Sequence, residues 1–210
     1  MTNFARIVFA LALAASAYSG DRAAADTDGP RQTIDRFHAV LLAVTRDPAL
    51  DYSGRYERLM AEVEQTFHLP VMTQVSAGSF WNDAPTFHRQ ALIAAFAHYG
   101  VSLLVRNFSG AAIARFETIG EQPGPQNTTL VDARIVTKTG AEIDIAYVLK
   151  ARADSWRVVD VVLDRGISEL ALRRSEFSHR LADGGLPALT ATLNGKADEF
   201  AVAMDDARIE

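Results

Sequence analysis

The stretch "ALIAAFAHYGVSLLV", Ala91 to Val105, constrains this chain more than any other. Wound as a helix it is apolar nearly all round. Only His98, Ser102 and the Tyr99 hydroxyl offer polar atoms. A helix without a polar face has to be enclosed, by lipid or by the rest of the protein. Arg89 and Arg106 leave 16 residues between them. A bilayer core asks for about 20 apolar residues, so the enclosure is expected to be protein. Asp83 stands where an N-cap for this helix would.

What encloses it is written in the second half of the chain, where the period changes. "GAAIARFETIG" and "TTLVDARIVTKTGAEIDIAYVLKARADSWRVVDVVLD" alternate at period two. Lys138-Thr139-Gly140 and Arg152-Ala153-Asp154 carry turn chemistry between strands, and "PGPQNTT" reads as an exposed loop. On the third strand Ile143, Ile145, Tyr147 and Leu149 share one face, with Glu142, Asp144 and Lys150 opposite. From Trp156 to Leu163 only Arg157 and Asp160 are not apolar. A strand apolar on both faces is expected at the centre of a sheet, with cover above and below.

Helices flank this meander. Ile34, Phe37, Leu41 and Val44 fall at helical spacing after Pro30, and Tyr56, Leu59, Met60, Val63 and Phe67 repeat the pattern before Pro70. "VMTQVSAGSFWNDAP" reads as a short helix and a loop. "ISELALRRSEFSHRLADGG" reads as a helix capped by Ser168 and closed at Gly184-Gly185, and "LPALTATLNGKADEF" as a further helix with Pro187 in its first turn. The order predicts an α+β fold: one curved antiparallel sheet of about four strands packed by N- and C-terminal helices.

The bulk numbers narrow the role. A net charge of −5 without basic clustering argues against nucleic acid and against electrostatic docking on anionic lipid. With no cysteine there are no disulfides, thiol nucleophiles or cysteine metal sites. The amino terminus has a basic Arg6, an apolar run from Ile7 to Ala17 and two A-x-A sites, Ala15-Ser16-Ala17 and Ala23-Ala24-Ala25. This is the secretory pattern, with cleavage favoured after Ala25 and an uncleaved anchor as the other reading. Residues 1–25 are thus expected to be a signal peptide, 26–200 one domain and 201–210 a frayed tail. Export without cysteine points to the periplasm.

Catalytic signals are weak. There is no phosphate loop, nucleophile elbow or zinc-protease motif, and the five histidines are dispersed over the chain. No metal or other cofactor is expected. Asp160 on an apolar strand costs several kcal/mol unless it is paired or hydrogen-bonded. Either it meets an arginine or backbone amides and fixes the following turn, or it is an acid or base in a sheet pocket. Arg173-Arg174 is expected on a helix exterior, facing a partner or a lipid headgroup.

Two stretches, "WRVVDVVLDRGIS" and "LRRSEFSHRLADGGLPALTATLNGK", resemble the MlaC or toluene-tolerance family of periplasmic lipid-binding proteins. The matching residues are Trp156, Asp160-Val161, Gly166, Ser168, Arg173 or Arg174, and Phe177. "ISELALRRSEF" looks like the branch associated with hopanoid biosynthesis gene clusters (HpnM-like); Ala171-Leu172 stand where the main branch usually has an aromatic. The resemblance implies an NTF2-like sheet closed over an apolar cavity, and no catalysis. It implies a monomeric carrier moving phospholipid or hopanoid between an inner-membrane ABC-type, MCE-type or hopanoid-export complex and an outer-membrane partner. Candidate lining residues are Phe96, Tyr99, Leu103, Leu104, Ile143, Ile145, Tyr147, Trp156, Val158 and Val161, with Asp160 and Ser168 as structural polar groups. An enzyme using Asp160, and an adaptor subunit with a filled core, are the alternatives.

Overall fold

The computed structural model describes residues 28–108, 113–153, 155–163 and 166–209; the export signal assigned to 1–25 lies outside the described residues. Four helices come first: α1 (Pro30–Arg46), α2 (Tyr52–Thr66), α3 (Leu69–Ala77) with a 3-10 turn after it (Gly78–Trp81), and α4 (Thr86–Phe108). The strands follow as β1 (Ile113–Gly124), β2 (Thr128–Thr137), β3 (Glu142–Arg152), β4 (Ser155–Leu163) and β5 (Ile167–Ser168), and α5 (Glu169–Ile209) closes the chain. The fold is α+β, an antiparallel sheet in the order β1-β2-β3-β4-β5 with helices packed on it.

Helix α4 is apolar all round because it separates two cores. Val101 and Val105 join the α1–α2–sheet core, with Ile34, Phe37, Leu41, Leu59, Val131 and Leu149. Leu92, Ala95 and Tyr99 join a second core with Trp81 and with Phe177, Leu181, Leu189 and Leu193 of α5. Its start is not at Asp83. The residue before a proline is disfavoured in helical conformation, so Ala84 stays outside and the first helical bond runs from the Arg89 N–H to the Pro85 carbonyl.

Strand β4 is not central. Beyond β3 on one side it has only the two-residue β5 on the other, plus a parallel bridge from Phe67 to Val158. Its greasiness has another cause. Val148 pairs with Asp160 but Leu149 pairs with Val158, so Val159 is an extra, bulged residue. A bulge reverses the alternation beyond it. Cross-strand partners share a face, so Trp156, Val158, Val161 and Leu163 all point to the side of Tyr147 and Leu149. All four pack on or within the main core. Asp160 is turned to the opposite face, with Val148.

The last helix is broken where expected. Gly184 leaves the helical region at φ −158°, ψ 22°, and Gly185 stands at φ 62°, ψ −155°, a region open to glycine alone. Pro187 then lies in the first turn of the second arm, where a missing N–H costs nothing. That arm continues as helix to Ile209 rather than ending near 200.

Candidate functional site

A cavity of about 410 Å³ lies between α4 and the sheet. On α4 the residues Phe96, Gly100, Leu103 and Asn107, with Ala97, Leu104 and Phe108 beside them, form its roof. These positions recur every three to four residues, one face of a helix. The floor is Ile135 of β2, Ile145 and Tyr147 of β3, and Val161 and Leu163 of β4. One side is closed by Phe37, Val63, Leu69 and Met72 from the first three helices and by Phe67 between α2 and α3, the other by Glu169, Leu170 and Arg173 at the start of α5.

Among the candidate lining residues, Phe96, Tyr99, Leu103, Leu104, Ile145, Tyr147 and Val161 meet at this cavity. Three stand elsewhere. Val158 is fully buried in the main core and Trp156 packs on that core. Ile143 pairs with Ile135 and so shares the cavity face, but it lies at the start of β3 and is 43% exposed. The face of β3 was legible from alternation; which of its residues are capped by helix was not.

Asp160 has its carboxylate fully engaged. Oδ2 accepts from the Ser168 hydroxyl at 2.6 Å, and Oδ1 accepts from the backbone N–H of Val161 at 2.8 Å and of Leu170 at 3.2 Å. Ser168 Oγ in turn accepts from the Ala171 N–H at 3.1 Å, an N-cap bond. Strand β4 thereby holds the first turn of α5, and with it Glu169, Leu170 and Arg173 at the cavity wall.

Arg173 corrects the expectation of an exterior pair. Its side chain is only 16% exposed. Nη2 meets Glu169 Oε1 at 2.6 Å, Nη1 meets Glu176 Oε2 at 2.7 Å, and the guanidinium lies over the Tyr99 ring at 5.5 Å. Burial works against its charge, but Glu169, Tyr99 and Glu176 together outweigh burial and raise its pKa. Arg174 does stand at the surface, near Gly78. Glu169 carried no sequence signal of its own; its i,i+4 spacing to Arg173 was the available clue.

The floor holds one buried polar pair. Tyr147 Oη and His38 Nε2 share a hydrogen bond of 2.9 Å, and the His38 ring stacks on Phe116 at 4.2 Å. Burial drives the His38 pKa down to about 4 against a smaller upward pull from Asp35, and pushes the Tyr147 phenol up. Both are neutral at physiological pH. A wider depression of about 500 Å³ lies at the β3–β4 hairpin, beside His68, Arg152 and Arg157. Its walls are polar, and its cations are tied back to the protein: Arg157 donates to the Glu64 carbonyl at 2.6 Å and Arg152 meets His68. The apolar cavity is therefore the better binding site.

An open antiparallel sheet packed by helices, with an apolar pocket between α4 and the sheet beside the solid cores, defines a class of α+β proteins that carry an apolar binding space. The family model for MlaC protein matches residues 31–195, and the chain belongs to that family. No curated protein sequence matches it. Among solved structures, it is similar to a phospholipid-binding protein from Ralstonia solanacearum, determined in complex with a phospholipid. The two share 17% identity over 81% of this chain and 98% of that one, with a TM-score of 0.67. At that identity the likeness concerns the fold.

Proposed function

We propose that this chain is a non-catalytic periplasmic carrier that takes a lipid into the cavity under α4 and moves it between membrane complexes. The observation that carries this reading is the cavity itself. Its volume of about 410 Å³ falls within the ~300–1,000 Å³ of small-molecule sites, and its walls are apolar apart from two tyrosines, Asn107 and the Glu169–Arg173 pair. Each buried CH2 contributes about 0.8 kcal/mol, so hydrocarbon alone would hold such a guest without a charged anchor. Membership in the MlaC family, and a neighbour of the same fold solved with phospholipid, support a lipid as the guest. Export by residues 1–25, delivery from an inner-membrane lipid transporter and transfer to an outer-membrane partner belong to the same reading.

Phospholipid and hopanoid are both candidates. The motif difference at Ala171-Leu172 does not decide between them, because neither residue lines the cavity and Leu172 is 42% exposed. The engaged carboxylate of Asp160, on the face away from the cavity, favours its structural role over an acid–base one. Native mass spectrometry of protein gently purified from a bacterial periplasm is the test. A lipid-mass adduct is expected, identified after solvent extraction; protein that is entirely free of lipid would sink the reading.

A further inference from the structure

The floor of the cavity continues into the open. Ile135 lines the cavity, and its cross-strand partner Ile143 is 43% exposed. Leu163 lines the cavity as well, and its partner Ile167 on β5 is 56% exposed. Cross-strand partners stand on the same side of a sheet, so Ile143 and Ile167 extend the apolar surface that Ile135, Ile145 and Leu163 begin. Ile145, two residues along β3 on the same face, is buried. The enclosure therefore ends between Ile143 and Ile145. A single exposed isoleucine needs no explanation. Two that prolong the floor of an apolar pocket form a lip that the same guest can reach.

The enclosed part is small for the guests considered. An apolar cavity of ~150 Å³ takes one benzene, roughly 25 Å³ per carbon. At that density the volume of about 410 Å³ holds about 16 carbons. That is the content of one acyl chain, and a diacyl lipid brings two. We propose, on the basis of the carrier reading above, that the binding site has two parts. The enclosed cavity takes one acyl chain, and the open lip of Ile143 and Ile167 takes the second chain of the same lipid. Hydrocarbon laid on the lip is stabilised by the same burial as inside, in proportion to the area covered. The lip thus acts on guests with two chains and is idle for guests with one.

The test offers delipidated protein equal amounts of phosphatidylcholine and lysophosphatidylcholine with the same acyl chain, and reads the bound ratio by native mass spectrometry. Wild type is expected to take up both. The double variant Ile143→Thr with Ile167→Thr keeps β-branched side chains in both strands and removes about two methylenes of apolar cover, worth about tenfold in affinity. The ratio of diacyl to monoacyl lipid should fall by about that factor, with monoacyl uptake unchanged. Val75→Thr, at a position on α3 that is equally exposed and does not line the cavity, should leave the ratio where it is. If the double variant does not fold, each single substitution should shift the ratio in the same direction by less. A ratio that the substitutions at Ile143 and Ile167 do not move, or that Val75→Thr moves as far, overturns the lip. So does an equal fall in both lipids, or a wild type that takes up only the monoacyl lipid; in each of these cases the carrier reading stands. A wild type that takes up neither lipid overturns the carrier reading, and the lip with it.

Discussion

Gly100 offers a way to separate a pocket wall from an ordinary core. It lies on the cavity face of α4, and a Cβ built on it meets no atom within 4 Å. Its φ is not positive, so a side chain is tolerated there. Gly100→Leu therefore should have effects of opposite sign on stability and on binding. Replacing glycine by leucine inside a helix gains about 0.7 kcal/mol from backbone propensity alone, and the new side chain enters space that is apolar and open. The empty protein should melt about 2 °C higher. The four added carbons, however, occupy volume that the guest would otherwise fill. If they displace about four methylenes at ~0.8 kcal/mol each, binding weakens by about 3 kcal/mol, more than a hundredfold. Thermal denaturation of delipidated protein reads the first effect, and titration with a fluorescent acyl lipid reads the second. A solid interior at this position would reverse the stability result, because an over-packed core loses about 1–3 kcal/mol. A lower Tm, or a lipid affinity unchanged by the substitution, would refute the reasoning that Gly100 faces a guest.

Two further outcomes follow from the polar groups around the cavity. The His38 pKa is about 4 in the folded protein against 6.5 in the unfolded chain, so between those values only the unfolded chain binds the proton and stability rises with pH. The contribution is complete above pH 6.5 and is lost as pH falls toward 4, about 3 kcal/mol in all at ~1.36 kcal/mol per unit. Urea denaturation from pH 7 to 4.5 should show a steeper acid loss in wild type than in His38→Gln; parallel curves would contradict it. Asp160→Ala leaves Ser168 Oγ and the N–H groups of Val161 and Leu170 without their acceptor. Since one unmet buried donor costs ~1–3 kcal/mol and these three are only partly buried, the expected loss by chemical denaturation is about 2–3 kcal/mol. Asp160→Asn, by contrast, should keep its bound lipid. Lipid lost from a well-folded Asn variant would show that the carboxylate acts on the guest directly.

The parts of the molecule that were legible in the sequence are those where one local pattern has one physical cause. The helix around Ala91–Val105 had to be enclosed, and it lies between two cores. Ser168 and the Gly184-Gly185 pair mark the start and the break of α5 through their own chemistry, a hydroxyl acceptor and a backbone region closed to other residues. Where the reading failed, one pattern had two causes. An apolar strand can be apolar because it is central, or because a bulge turns every second residue inward on both sides of it. Composition is the same in the two cases, and only the pairing of Val148 with Asp160 beside Leu149 with Val158 separates them. The bulge also moves Asp160 off the cavity face. Without it, Asp160 would share the side of Trp156 and Val158 and face a pocket, as an acid–base residue requires. With it, the carboxylate reaches Ser168 and the first turn of α5, so one extra residue in a strand separates a buried catalytic candidate from a brace.

The cavity was legible as a face but not as a volume, for a related reason. Alternation on β3 and periodicity on α4 select the inward residues, yet Ile143 and Ile145 carry the same signal. They differ only in what lies above them. Phe67, Leu69 and Met72 supply that cover from the junction of α2 and α3, far away in sequence. The Glu169–Arg173 corner is subtler still. Its i,i+4 spacing is common on solvent-facing helices, where such a pair contributes a few tenths of a kcal/mol. Here Asp160 anchors the helix end so that the pair faces an apolar space, and a pair that would be minor in water becomes the main polar group a guest can meet.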